Sequence, residues 1–187
     1  FAGDGYDGFA AGAGVQVETV GAPLPKVVAY LHPDEYRSTW LGNNAIYRSR
    51  MALADGGELV VLAPGVTRFG EDAAIDRLSR RHGYRGTAAT LAAVAADPEL
   101  LGSLSAAAHL IHGSSEGRFR ITYAPGGLSR EEITGVGYEY LELAGALRRC
   151  DPARLAPGPN LMADGEEIYF LPNPASALEH AERLAGG

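Results

Sequence analysis

Two strand-length runs, Lys26-Val-Val-Ala-Tyr-Leu31 and Glu58-Leu-Val-Val-Leu-Ala63, constrain this chain more than any other feature. Each has the length and apolar content of a strand buried on both faces. Between them, Asn43 or Asn44 is placed to cap a helix running to about Ala54, with Asp55-Gly56-Gly57 closing it. Strand, helix and strand at these lengths make a βαβ unit, whose strands lie parallel with a right-handed crossover. The expected fold is therefore α/β, a layered domain with a mixed, largely parallel sheet flanked by helices.

The rest of the chain extends that frame. Helices are expected over Asp72 to Arg81, Thr87 to Ala96, and from Asp97-Pro98-Glu99 to about Ile111, the last opened by a capping aspartate and a proline at the first helical position. Arg118 to Tyr123 alternates basic and apolar residues, as a strand with one solvent- or site-facing side does. Ser129-Arg-Glu-Glu132 reads as a capping box. Tyr138 to Arg149 passes from a strand-like start into a helix. Asp164-Gly165 forms a hairpin turn between Asn160–Met162 and Glu166–Leu171. Asn173-Pro174 is expected to cap a last helix to about Leu184. Residues 1–25, rich in Gly, Ala and Pro, read as an irregular lead-in or linker, and residues 26–187 as one α/β domain.

A length of 187 residues allows one sizeable core. No segment approaches the ~20 consecutive apolar residues of a membrane helix. A formal charge of −7, with Lys26 the single lysine, disfavours a binder of the nucleic-acid backbone. One cysteine, Cys150, rules out an internal disulfide and fits a reducing, cytoplasmic setting. The chain opens on Phe1 without a signal-peptide pattern, and a piece of a longer protein is expected.

Phosphate-loop, dinucleotide and nucleophile-elbow signatures are missing. Two clusters remain. In the first, Gly113, Ser114 and Ser115 free backbone N–H groups and hydroxyls at a helix–strand junction, where Glu116 and Arg118 add charge and His112 lies just upstream. An ordinary capped turn with a Glu/Arg pair explains the same residues. The second cluster puts Asn43 and Asn44 at a helix start, which favours a carboxylate, followed by Arg48 and Arg50. Two residues apart on a helix means about 200° around the axis, so only one of these arginines can face a given pocket. Tyr47, Met51 and Ala54 are the expected core stripe of that helix. His109 and His112 share a helix face but lack the further ligands a metal needs.

The run from Ser38 to Ala63, together with Phe69-Gly-Glu-Asp72, Ala108-His-Leu-Ile-His-Gly-Ser-Ser-Glu-Gly-Arg-Phe119 and Asp164-Gly-Glu-Glu167, resembles the carboxy-terminal half of the nickel-dependent lactate racemase family. The resemblance is to a longer, sugar-acid branch whose members are often called mannonate epimerases or oxidoreductases. It implies inversion at C2 of a hydroxy acid or aldonate by a nickel-pincer nucleotide, held mainly by an N-terminal domain outside this chain. That domain also supplies the acid–base histidines, the cofactor lysine and the nickel-ligating histidine. No catalytic residue and no metal ligand carries over onto this chain. Where the family has a glutamine and a lysine on the helix matching Ala45 to Ala54, this chain offers Arg48 and Arg50, which suits a larger, polyhydroxylated acid. The two clusters and the resemblance together give Asn43, Asn44, Arg48, Arg50, His112, Ser114, Ser115, Glu116 and Arg118 as substrate-binding candidates. The expected partners are a small hydroxy or sugar acid and the protein's own N-terminal domain. A sugar-acid oxidoreductase and a non-catalytic sugar-acid binding module are the alternatives.

Overall fold

The computed structural model describes residues 17–174 and 177–180. Its centre is a six-stranded sheet, preceded by a short strand β1 (Val17–Val20) that pairs in parallel with β8 (Ala177–His180). The main sheet comprises β2 (Leu24–Tyr30), β3 (Leu53–Ala63), β4 (Arg120–Pro125), β5 (Glu139–Tyr140), β6 (Gly158–Leu161) and β7 (Glu167–Leu171), in the spatial order β5-β4-β3-β2-β7-β6. All neighbours run parallel except the β6–β7 hairpin. The expected mixed, largely parallel sheet is what forms.

Eight helices accompany it among the described residues: α1 (Thr39–Gly42), α2 (Asn44–Ser49), α3 (Ala73–His82), α4 (Thr87–Ala96), α5 (Pro98–Leu101), α6 (Leu104–His112), α7 (Arg130–Gly135) and α8 (Leu143–Arg149). The chain adds β3, β4 and β5 successively on one side of β2, then returns to place β7 on the other side. Right-handed crossovers moving in one direction stack their helices on one face, and a reversal puts the next helix on the other. Accordingly the larger core joins Val27, Ala29, Leu59, Val61 and Tyr123 to Ile46, Leu78, Leu110 and Ile133. The smaller one joins Val28, Val60, Leu62 and Phe170 to Ala146 and Cys150 of α8 and its end.

Capping signals locate well. Asp72 caps α3, Asp97 caps α5, and Ser129 with Glu132 forms the full capping box of α7. Four expectations need correction. Asp55-Gly56-Gly57 does not close a helix; α2 ends at Ser49 and these residues form a bulge inside β3, where Leu24 pairs with Leu53 and Lys26 already with Glu58. Gly56 adopts φ 77, and its N–H donates to Arg118 O at 2.6 Å, a conformation only glycine takes without strain. The helix expected from Asp97 to Ile111 breaks at Gly102-Ser103, between α5 and α6. Arg118 to Tyr123 does not present an open side: β4 is central, and every residue from Ile121 to Pro125 is buried. Beyond Asn173-Pro174, residues 177–180 are strand β8 rather than helix, because β1 offers them a partner. The expectations for residues 1–16 and for the end of the chain beyond His180 lie outside the described residues.

Lys26 ties the thinly covered face together, 2.9 Å from Glu58 and 3.0 Å from Glu166. Burial works against its charge, but the hydrogen bonds to the two carboxylates outweigh that and raise its pKa above the ordinary value. The one lysine is therefore committed to linking β2, β3 and the β6–β7 hairpin. Among the described residues no helix is long and apolar enough to cross a membrane.

Candidate functional site

The helical segment after β2 is in two short pieces. Ser38, in extended conformation, caps α1, while Asn43 is helical and makes no side-chain cap. Asn43 N–H donates to Thr39 O, and its carbonyl accepts from Ile46 and Tyr47. The Asn43–Asn44 step is a joint between helices and offers no open set of amide donors to an anion. The core side of α2 is Ala45, Ile46 and Ser49, and Tyr47 is exposed, contrary to the expected stripe of Tyr47, Met51 and Ala54. With the helix ending at Ser49, Met51 and Ala54 are no longer on its surface.

Asn43 is 3% exposed; its Nδ2 donates to Tyr138 Oη at 3.0 Å, and its Oδ1 has no partner among the described residues. Tyr138 Oη donates in turn to Gly113 O at 2.7 Å. Around this point three tyrosines stack, Tyr84 on Tyr138 with centroids 4.7 Å apart and Tyr138 on Tyr123 at 5.5 Å. The stack joins the loop after α3, the start of β5 and the middle of β4.

The loop 113–118 lies at the amino-terminal edge of β4, the opposite edge from the one where open α/β sheets usually bind ligands. Its polar groups are engaged within the fold. The single hydroxyl proton of Ser114 is shared between Ile111 O at 2.9 Å and Glu116 at 2.8 Å. Glu116, at φ 52, accepts from Thr87 N–H and Thr87 Oγ1 and so caps α4, which lacks a side-chain cap of its own. Burial opposes ionisation of Glu116, yet the bonds from Thr87 and Ser114 prevail and hold its carboxyl below the usual range. Arg118 donates to Asp55 at 2.9 Å, to Arg50 O at 3.0 Å and to Leu53 O at 2.9 Å, pinning the bulge of β3. Arg50 donates to Ser114 O at 3.4 Å. Ser115 lines a cavity of about 220 Å³ with Tyr84, Phe119, Arg120 and Tyr138. Arg118→Ala is expected to cost about 2 kcal/mol, since two backbone carbonyls lose a charged donor; urea denaturation measures it.

Asn44, Arg48 and His112 are left with surface to offer. Asn44 and Arg48 are four residues apart and share a face of α2. The Arg48 guanidinium lies 5.4 Å from the Tyr47 ring centre, and its Nε is buried with no partner among the described residues. Arg50 is turned to the 113–118 loop through Ser114 O, whereas Arg48 stands beside the Tyr47 ring. Two aromatic–imidazole pairs then bridge this segment to α6: Trp40 with His109 at 4.4 Å and Tyr47 with His112 at 6.2 Å. Trp40, Tyr47 and His109 were not among the sequence candidates. Their signal was the seven-residue spacing of Trp40 and Tyr47 against the three-residue spacing of the histidines, which is meaningful only once the two helices are known to pack. His109 is half-buried, and burial, with His112 nearby, lowers its pKa to about 4. The ridge is thus lined by a neutral imidazole, two aromatic faces, an amide and a guanidinium. That combination can bind and orient a small polar anion.

Among the described residues no three His, Cys, Asp or Glu side chains gather to hold a metal. Lys26 is occupied by Glu58 and Glu166.

No protein-family model matches the sequence, and no curated protein does. The fold has solved counterparts. It superposes on a protein from Thermotoga maritima with a TM-score of 0.67 at 18% identity, over 91% of this chain and 40% of that one. It also superposes on the lactate racemase apoprotein from Thermoanaerobacterium thermosaccharolyticum with a TM-score of 0.54 at 13% identity, over 86% of this chain and 37% of that one. The chain spans less than half the length of either neighbour. At these identities the similarity is one of architecture, and the architecture is lactate racemase-like.

Proposed function

We propose that this chain is the substrate-binding part of a 2-hydroxy acid racemase or sugar-acid C2 epimerase, working with an N-terminal domain that holds a nickel-pincer nucleotide. The observation that carries the reading is the lactate racemase-like fold over 86% of the chain. The ridge across α1–α2 and α6 supports it, because the half-buried Arg48 sets its guanidinium beside the Tyr47 ring, next to the aromatic–imidazole pairs. A carboxylate accepts from a guanidinium through two parallel bonds, which fixes the acid's orientation as well as its position. Asn44, on the same face of α2, is placed for a neighbouring hydroxyl. The chain's own part is to grip and orient the acid; the described residues include no group set for the chemistry at C2.

The test is isomerisation of lactate and of a panel of C2-epimeric aldonates by the full-length enzyme, followed by NMR. Arg48→Ala is expected to lower kcat/KM about 30-fold, the worth of a lost charge-assisted bond. Arg50→Ala is expected to act mainly on stability, since its guanidinium is turned to Ser114 O. Full activity in Arg48→Ala would end the carboxylate-clamp reading. Binding of these acids without turnover, cofactor supplied, would favour a non-catalytic binding module instead.

A further inference from the structure

Three contacts beneath the ridge, two of them buried, have one placement of protons that satisfies all three. Thr39 Oγ1 lies 2.9 Å from Phe69 O, a carbonyl that can only accept, so the single hydroxyl proton of Thr39 belongs there. The same Oγ1 lies 2.8 Å from Tyr84 Oη. With Thr39 already donating, Tyr84 must donate across that contact. Tyr84 Oη is also 2.9 Å from His109 Nε2, and with its own proton spent it can only accept. Nε2 therefore carries the hydrogen. In the reversed chain Thr39 Oγ1 and Phe69 O would face each other at 2.9 Å with no proton between them. A neutral imidazole has one N–H, which leaves Nδ1 of His109 a bare lone pair.

The surroundings hold this arrangement in place. Thr39 is 0% exposed and Tyr84 5%. Tyr84 is stacked on Tyr138 with the ring planes within 2° of parallel, and meets the His109 ring edge-on at 5.4 Å. Trp40 covers the imidazole at 4.4 Å. Burial keeps the ring neutral at ordinary pH. Nδ1 has no hydrogen-bond partner among the described residues, on a half-buried side chain at the ridge.

We propose that Tyr84 is a positioning residue that locks His109 as the Nε2–H tautomer, so that His109 Nδ1 is an obligate acceptor for a hydroxyl of the bound acid. This rests on the ridge being the substrate face. A hydroxyl donor is accepted there, whereas a carboxylate oxygen is turned away by the lone pair, so His109 selects for the hydroxy group while Arg48 takes the carboxylate.

The experiment is a long-range proton–nitrogen correlation spectrum of the uniformly ¹⁵N-labelled 187-residue chain near pH 7. The His109 ring should show a protonated Nε2 and an unprotonated Nδ1. Thr39→Val, isosteric with threonine, takes away the acceptor that holds the Tyr84 proton and should shift the ring toward the Nδ1–H form. Tyr84→Phe should remove the protection of Nε2–H against exchange with water. Adding lactate should move the Nδ1 resonance, and propanoate, which lacks the hydroxyl, should not. A protonated Nδ1 in the wild-type chain overturns the proposal, as does a tautomer unmoved by Thr39→Val, or an Nδ1 resonance that responds to both acids alike or to neither. Lack of isomerisation by the full-length enzyme would instead overturn the proposed function and leave the tautomer assignment intact.

Discussion

As pH falls from 6.5 to about 4, the folded chain is expected to lose roughly 2–3 kcal/mol of stability through His109 alone. The unfolded chain takes up a proton on this histidine near pH 6.5, whereas the folded chain resists it until about pH 4. Stability from this group is therefore fully present above the unfolded value and eroded as pH falls toward the folded one. Below that both states hold the proton and the loss stops. Trp40 offers an imidazolium about 1 kcal/mol of cation–π attraction, less than burial takes away. His109→Gln is the informative comparison, since its side-chain amide can still donate to Tyr84 but does not titrate. Urea midpoints followed across this pH range should slope for the wild type and run flatter for the variant. Equal slopes would mean that His109 is protonated without cost.

Gly126→Ala is expected to destabilise the chain by on the order of 3 kcal/mol. A Cβ at Gly126 would stand 1.8 Å from Pro64 O and 2.7 Å from Pro64 C, where the ends of β3 and β4 lie side by side. Those are backbone atoms of a central strand's end, and no side-chain rotation relieves the overlap. The loop after β4 would have to lift away, pulling Gly126 N–H from Ala63 O, now 2.9 Å apart. Gly135→Ala serves as the control: nothing lies within 4 Å of a Cβ there, at the end of α7. It should be neutral or stabilising by up to about 1 kcal/mol. Similar urea midpoints for the two variants would show that the close approach is not rigid.

Local chemistry in the sequence carried most of the fold. Apolar runs located β2 and the buried end of β3, and Asp72, Asp97 and Ser129 located helix starts, because a cap and its helix are within a few residues of each other. Errors came where a distant partner overrode the local signal. Gly56-Gly57 has the appearance of a helix stop, yet Arg118, more than 60 positions away, makes it a strand bulge. The site was legible only as a set of residue types. Glu116 and Arg118 look like ligand groups in sequence because Thr87, Leu53 and Asp55, which engage them, are remote. Trp40 and His109 gave no sign of belonging together, since only the packing of α1 on α6 brings their rings to 4.4 Å.

The position of β7 beside β2 also bears on the order in which this chain can fold. β2 is made long before β7: residues 27–29 pair with 169–171, and Lys26 meets Glu166 across 140 positions. Until β7 has left the ribosome, one whole edge of β2 stays open, carrying the alternately inward-facing Val27, Val28 and Ala29. Closing so long a loop delays the final pairing. An exposed apolar edge held open for that time is also a template for pairing between nascent chains. In this topology the β6–β7 hairpin is the last part of the six-stranded sheet to be made, and it is the part that covers the open edge of β2.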